Sequence, residues 1–222
     1  MKSVRMVLWG LVLVLGAVVS GVYVGKTFFG EPSVDAASSV GAAFHRARYE
    51  NAGGPFTLTN YDGETVTEAD LEGKPRAMFF GFTHCPDVCP TSMLDAHQWL
   101  EALGEDADKL NIVFVSVDPE RDTPALLKQY LNAFDERIIG LTADDPDAVR
   151  AMADEYGIYY EKVPFANGGY TMNHTADTLL FDENGAYAGY IPYMQPSARQ
   201  DESFAADTQQ KVVAQLRDLV NE

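Results

Sequence analysis

Cys85 and Cys89 are the only cysteines among the 222 residues, and three residues separate them. Pro90 follows directly and fits the first turn of a helix, which would leave Cys89 near the helix N-cap. The free N–H groups and the positive dipole end of a helix stabilise a thiolate there. A disulfide closing so short a loop would contribute only about 2 kcal/mol. The pair therefore indicates thiol redox chemistry or metal binding rather than a structural disulfide.

Thiolates select soft ions such as Cu(I), and an imidazole as third ligand also accommodates Cu(II). The histidines are His45, His84, His97 and His174. We expect His45 and His97 to be solvated, and His84 to point away from Cys85 because neighbours on an extended chain face opposite sides. His174 lies in a polar stretch before a predicted strand, and spacing alone leaves open whether it meets the cysteines. A structural zinc site is the least favoured interpretation, because it needs four ligands.

Hydrophobic periodicity predicts alternating strands and helices from residue 55 onwards. Turn residues separate predicted hairpin strands at 56–59 and 64–67. Thr123 and Asp145 are predicted N-caps, each followed by a proline. The remaining predicted strands are 76–82, 111–117, 138–141, 178–181 and 186–190, and the predicted helices are 91–103, one from 124, 146–156 and 207–220. This order is α/β, and a cysteine pair that opens the helix after the first core strand favours a thioredoxin-like fold, with a central mixed β-sheet flanked by helices.

Residues 6–25 contain no charged side chain. Twenty helical residues span about 30 Å, the hydrocarbon thickness of a bilayer. Lys2 and Arg5 precede this run, so the positive-inside rule places the N-terminus in the cytoplasm and the rest of the chain outside. We predict a membrane anchor at 1–26, a linker at 27–54 and a thioredoxin-like domain at 55–222, which holds both cysteines. A cleaved signal peptide is the competing interpretation, and it exports the domain equally.

The charge balance restricts the possible partners. The chain has 16 basic and 33 acidic side chains, for a net charge of −17, and its first 26 residues hold no acid. A surface this negative repels phosphate backbones, which excludes nucleic acid as a partner. It suits cationic partners, either metal ions or basic protein surfaces.

Three segments resemble signature blocks of the Sco/SenC family, which are copper-binding, thioredoxin-like proteins that assist cytochrome c oxidase assembly. They are residues 82–90 (FTHCPDVCP), 115–124 (VSVDPERDTP) and 173–175 (NHT). The resemblance implies that Cys85, Cys89 and His174 bind copper, as Cu(I), Cu(II) or both. The family pattern usually places an acid immediately before the histidine, where this sequence has Asn173. The second block also has a structural interpretation, because a strand end and a helix cap explain most of it.

From this resemblance we expect a membrane-tethered copper chaperone. It would deliver copper to the binuclear centre of cytochrome c oxidase, with the copper-bearing subunit or another exported cuproprotein as partner. The domain would lie on the periplasmic side of the cell inner membrane. The alternative is a thiol–disulfide reductase in which Cys85 attacks and Cys89 resolves, so enzymatic activity stays open. A peroxide-reducing protein ranks third, since no cationic residue is placed to activate peroxide beside Cys85.

Overall fold

The computed structural model describes residues 47–221. The predicted anchor, His45 and most of the predicted linker lie outside these residues. Among the described residues, no helix has both the length and the apolar character that crossing a bilayer requires.

Seven strands form the central sheet: β1 (Thr57–Asn60), β2 (Thr65–Thr67), β3 (Arg76–Gly81), β4 (Asn111–Ser116), β5 (Ile139–Thr142), β8 (Thr178–Phe181) and β9 (Tyr187–Ile191). They lie in the order β2-β1-β5-β4-β3-β8-β9. The neighbours β3, β4 and β5 run parallel, whereas β1 pairs antiparallel with β5 and β8 antiparallel with β3, so the sheet is mixed. All residues of β3 and β8 are buried, because helices cover a central sheet of this kind.

The helices follow the strands in the expected alternation. They are α1 (Val88–Leu103), α2 (Pro124–Asn132), α3 (Pro146–Glu155), α4 (Pro196–Arg199) and α5 (Glu202–Leu219), with short 3-10 segments at Glu68–Leu71 and Gly104–Lys109. Helix α1 packs against α5, α2 against β5 and α3 against β1. The predicted caps are confirmed: the Thr123 hydroxyl accepts from the Leu126 amide, and the Asp145 carboxylate accepts from the Asp147 amide.

Three differences from the predicted elements are the largest or lie nearest the cysteines. Helix α1 begins at Val88, three residues before the predicted start, and so includes Cys89. Helix α5 begins at Glu202 rather than at 207, because the Asp201 side chain caps it. A further two-stranded sheet, β6 (Tyr160–Pro164) and β7 (Tyr170–His174), occupies a segment in which hydrophobic periodicity predicts no strand.

Tyr49 and Ala52 lie upstream of the predicted domain start at residue 55, yet both are buried in the core. The Tyr49 hydroxyl donates a hydrogen bond of 2.9 Å to the Asp177 carboxylate. The segment before residue 55 has no hydrophobic periodicity, yet it contributes one buried aromatic side chain, Tyr49, to the core.

Candidate metal centre

The two thiols lie where β3 gives way to α1. Cys85 follows the strand and is partly exposed, whereas Cys89 lies in the first turn of α1 and is fully buried. The backbone N–H of Cys89 points at the Cys85 sulfur over 3.4 Å, and the Phe82 N–H points at the Cys89 sulfur over 3.5 Å. Both thiols are free. Amide donors directed at sulfur favour thiolate over thiol, as the position at a helix start predicts.

His174 reaches the thiols from the far end of β7. Its Nε2 lies 3.5 Å from the Cys89 sulfur, although the two residues are 85 positions apart in sequence. Its Nδ1 lies 2.8 Å from the Thr175 carbonyl oxygen. Because a carbonyl only accepts, Nδ1 carries a proton, and in the neutral ring the Nε2 lone pair is directed at the sulfur.

The aromatic surroundings fix the plane of the His174 ring. The rings of Phe79 and Phe82 meet it edge-to-face, with centroids 5.9 Å and 5.7 Å away. Phe79 belongs to β3 and Phe82 follows it, so the strand that leads to the cysteines also orients the imidazole.

The two thiols differ in acidity. The pKa of the Cys85 thiol is lowered to about 4, first because it accepts a hydrogen bond from the Cys89 side chain. Burial raises the pKa of Cys89, and the neighbouring Cys85 raises it further. At neutral pH the pair therefore holds one thiolate, on the accessible Cys85, and one thiol, on the buried Cys89.

One sulfur from each cysteine and a ring nitrogen of His174 all lie within 4.8 Å of one another. Two sulfurs and one imidazole are a soft donor set, which suits Cu(I) and accommodates Cu(II). Among residues 47–221 this group has no fourth ligand from a histidine, cysteine or carboxylate side chain, so a four-ligand zinc site is not formed there. Met172, two residues before His174, is buried in the core.

The other histidines in the described part of the chain lie apart from the thiols. The His84 ring is half exposed, and its Nδ1 lies 3.1 Å from the Thr83 hydroxyl. His97 was expected to be solvated, but its Nδ1 donates a 2.9 Å hydrogen bond to Asp135. Each lies near carboxylates, yet those are already engaged: Arg137 binds Asp135, and Ser116 binds Asp122.

Asp122, which precedes the helix cap Thr123, also contacts the segment before Cys85, and no local sequence pattern predicts that contact. Its buried carboxylate accepts hydrogen bonds from the Thr83 amide, the Thr83 hydroxyl and the Ser116 hydroxyl, at 3.0, 2.6 and 2.6 Å. It thereby ties the start of α2 to the segment just before Cys85. Asn173, which replaces the expected acid, is exposed, and alternation along β7 places it on the face opposite His174.

The sequence and the fold of this chain are similar to those of one protein family. The sequence profile of the SCO1/SenC family matches residues 45–211. An SCO2-like protein of Rickettsia felis is 35% identical over 153 residues, which cover 67% of this chain and 72% of that protein. The structure of Bradyrhizobium japonicum ScoI with copper bound is 46% identical, with a TM-score of 0.62, and covers 72% of this chain and 98% of that one.

More distant structures show the same fold. BsSco, a member of the Sco family of cytochrome c oxidase assembly proteins in which a disulfide switch was identified, matches with a TM-score of 0.54. It is 21% identical and covers 72% of this chain and 95% of that one. The mixed sheet flanked by helices is thus the thioredoxin-like fold, and the chain belongs to the SCO1/SenC family.

Proposed function

We propose that this protein is a copper chaperone that holds one copper ion between Cys85, Cys89 and His174 and passes it to the copper-bearing subunit of cytochrome c oxidase. The observation that carries the proposal is the convergence of two thiols and one imidazole within 4.8 Å. Copper is present in the ScoI structure of B. japonicum, which has 46% sequence identity to this chain. BsSco is described as belonging to a family of oxidase assembly proteins.

The arrangement suits a carrier because it binds copper with few ligands. Three donors leave a coordination position open, so a recipient thiolate or imidazole can enter before a donor from this chain departs. Cys85 is partly exposed, and it is the donor through which such an exchange would begin. The acidic chain favours a recipient with a basic docking face.

Metal content tests the binding site. The full chain, purified reduced in a mild detergent, is loaded with copper, and copper per chain and the thiolate-to-Cu(II) charge-transfer absorption are measured. We expect one copper per chain in the wild type and loss of tight Cu(II) binding in His174→Ala. His97→Ala is the matched control, because it removes a histidine bound to Asp135 rather than one beside the thiols. Unchanged copper uptake in His174→Ala would contradict the three-donor site.

Delivery needs a test of its own. The copper-loaded chain is mixed with the isolated copper-binding domain of oxidase subunit II, the two proteins are separated, and copper is measured in each. We expect copper in the recipient and depletion of this chain. Copper that stays with this chain, while free copper ions load the recipient, would contradict delivery to that subunit.

We further propose that residues 6–25 anchor the protein in the cell inner membrane, with the domain on the periplasmic side. The support is the uncharged run of these residues behind Lys2 and Arg5. Alkaline phosphatase fused after residue 54 should be active and should sediment with membranes. An inactive fusion in the cytoplasm would contradict export, and an active fusion released in soluble form would favour a cleaved signal peptide instead.

The acidity difference between the thiols favours thiol–disulfide reduction as a second candidate function. The Cys85 thiolate would attack a disulfide of the recipient, form a mixed disulfide and release one recipient thiolate, which takes up a proton. Cys89 would then lose its proton and displace the second recipient thiol, leaving a Cys85–Cys89 disulfide. This reaction needs no imidazole ligand, so His174→Ala should retain most of it. Retained reduction with lost copper binding would separate the two functions.

A further inference from the structure

The strands β6 and β7 form a hairpin whose placement decides where His174 lies. Within residues 47–221 these two strands pair only with each other and not with the seven-stranded sheet. The backbone ladder of the central sheet therefore does not fix the β6–β7 hairpin. Apart from the chain segments at its two ends, the hairpin is joined to the body of the domain by side-chain contacts.

Arg121 makes the first of these connections, to the beginning of β7. Its guanidinium lies 3.8 Å from the centroid of the Tyr170 ring, and its Nη1 donates a 3.0 Å hydrogen bond to the Tyr170 carbonyl. Its Nε is paired with Asp118. The Tyr170 hydroxyl donates to the same carboxylate over 2.8 Å, which closes a ring of three contacts.

Arg150 makes the second connection, to the beginning of β6. It projects from α3 and stacks 3.6 Å from the centroid of the Tyr160 ring, and its Nη1 donates a 3.3 Å hydrogen bond to the Tyr160 carbonyl. Tyr160 is the residue directly opposite His174 in the β6–β7 register. The stacking of Arg150 on Tyr160 thus holds the residue that pairs with His174 across the hairpin.

We propose that Arg121 and Arg150 are positioning residues for His174, which clamp the β6–β7 hairpin to the domain so that the imidazole stays beside the thiols. This inference rests on the proposed copper site and deepens it. The cysteines do not depend on the hairpin, because Cys89 lies in α1 and Cys85 lies in the short segment between β3 and α1, which Asp122 binds through Thr83. Loss of the clamp should therefore weaken the binding of copper by His174 and leave the two cysteine sulfurs in place.

Arginine suits this role better than lysine. Its planar guanidinium stacks on an aromatic face and donates in its own plane at the same time, whereas an ammonium is a compact point charge on a flexible stem. Arg121→Lys keeps the charge beside Asp118 and loses the planar stack, so its copper affinity should lie between those of the wild type and Arg121→Gln.

The test compares clamp variants with and without His174. Arg121→Gln, Arg150→Gln and the double variant are made in the full chain, and again in a His174→Ala background. Copper affinity is measured by competition with a copper chelator, and the thiolate-to-Cu(II) absorption is recorded. Arg137→Gln is the matched control, since its guanidinium pairs with Asp135 and Glu101 away from the hairpin. Circular dichroism and the unfolding midpoint verify that each variant folds.

We expect each single variant to lose about tenfold in affinity, as for residues that orient a metal ligand, and the double variant to approach His174→Ala in affinity and absorption. In the His174→Ala background the same substitutions should change nothing further, since the residue they position is gone. Wild-type affinity in the double variant would overturn the clamp, as would an equal loss in the His174→Ala background. A wild-type chain that binds no copper would instead contradict the proposed function.

Discussion

The α-carbon of Gly81 approaches Cys89 so closely that a Cβ added to it would lie 2.9 Å from the Cys89 sulfur. The same atom would lie 2.6 Å from a ring carbon of Phe79 and 3.1 Å from Phe114. Gly81 ends β3, and its bare backbone leaves the space that the buried thiol occupies. The glycine therefore serves the site through its lack of a side chain.

Gly81→Ala should displace the Cys89 sulfur or the Phe79 ring that contacts His174. Overpacking of this kind costs about 1–3 kcal/mol, and we expect a drop of that size in the free energy of unfolding together with weaker copper binding. Gly140→Ala is the matched control, because its Cβ would lie 2.6 Å from Leu131 and 2.8 Å from Tyr61, away from the thiols. It should lower stability and leave copper affinity per folded molecule unchanged. Equal effects of both substitutions on copper affinity would contradict a local role for Gly81.

The parts of the fold that sequence predicted well are those set by local chemistry. Thr123 and Asp145 cap their helices as expected, since an N-cap side chain bonds amides two or three residues ahead. Strands such as β4 were predicted because their residues are almost continuously apolar and β-branched or aromatic.

The β6–β7 hairpin was missed for a physical reason. Four of the five residues of β6 are exposed, and the charged Glu161 and Lys162 stand side by side in it, so no alternation of apolar and polar residues reveals the strand. Its signals were the Gly168–Gly169 turn and the alternation of Tyr170, Met172 and His174. Contacts such as His97 with Asp135 join residues 38 apart, and no local pattern encodes such a distance.

The acidity of Cys85 leads to a prediction about its reactivity. Because its pKa is lowered to about 4, the thiolate fraction should stay near its maximum from pH 8 down to about pH 5.5. The alkylation rate with iodoacetamide, measured in Cys89→Ala to avoid disulfide formation and in the wild type, checks this. The wild-type rate should fall with a midpoint near pH 4, and removing the Cys89 donor should move that midpoint upward. A wild-type midpoint near 8.5, the ordinary value of a free thiol, would contradict it.

Copper affinity should fall as the pH falls. Burial and the neighbouring Cys85 raise the pKa of Cys89, so this thiol holds its proton at neutral pH and must release it to bind copper. One proton released per copper lowers the affinity about tenfold for each pH unit of acidification. Competition with a chelator of known proton affinity between pH 8 and pH 5 measures the slope. An affinity that is flat over this range would contradict binding by both thiolates.

Asp135 should contribute stability that acid removes. Its side chain, nearly buried, accepts hydrogen bonds first from Arg137 and also from His97, and these contacts hold its pKa well below the ordinary value. Since the folded pKa is lowered, the stabilisation is fully present above the unfolded value of about 3.9 and is lost as the pH falls below it. Asp135→Asn should lower the free energy of unfolding at pH 7 by about 1.5–3 kcal/mol, the usual contribution of hydrogen bonds to a charged group. Urea denaturation at pH 7 and at pH 3 measures this, and the difference between wild type and variant should shrink at the lower pH. Asp207→Asn, which removes an exposed ion pair with Lys211, is the control and should change little. A difference that stays constant with pH would show that the Asp135 charge is not the source of the stabilisation.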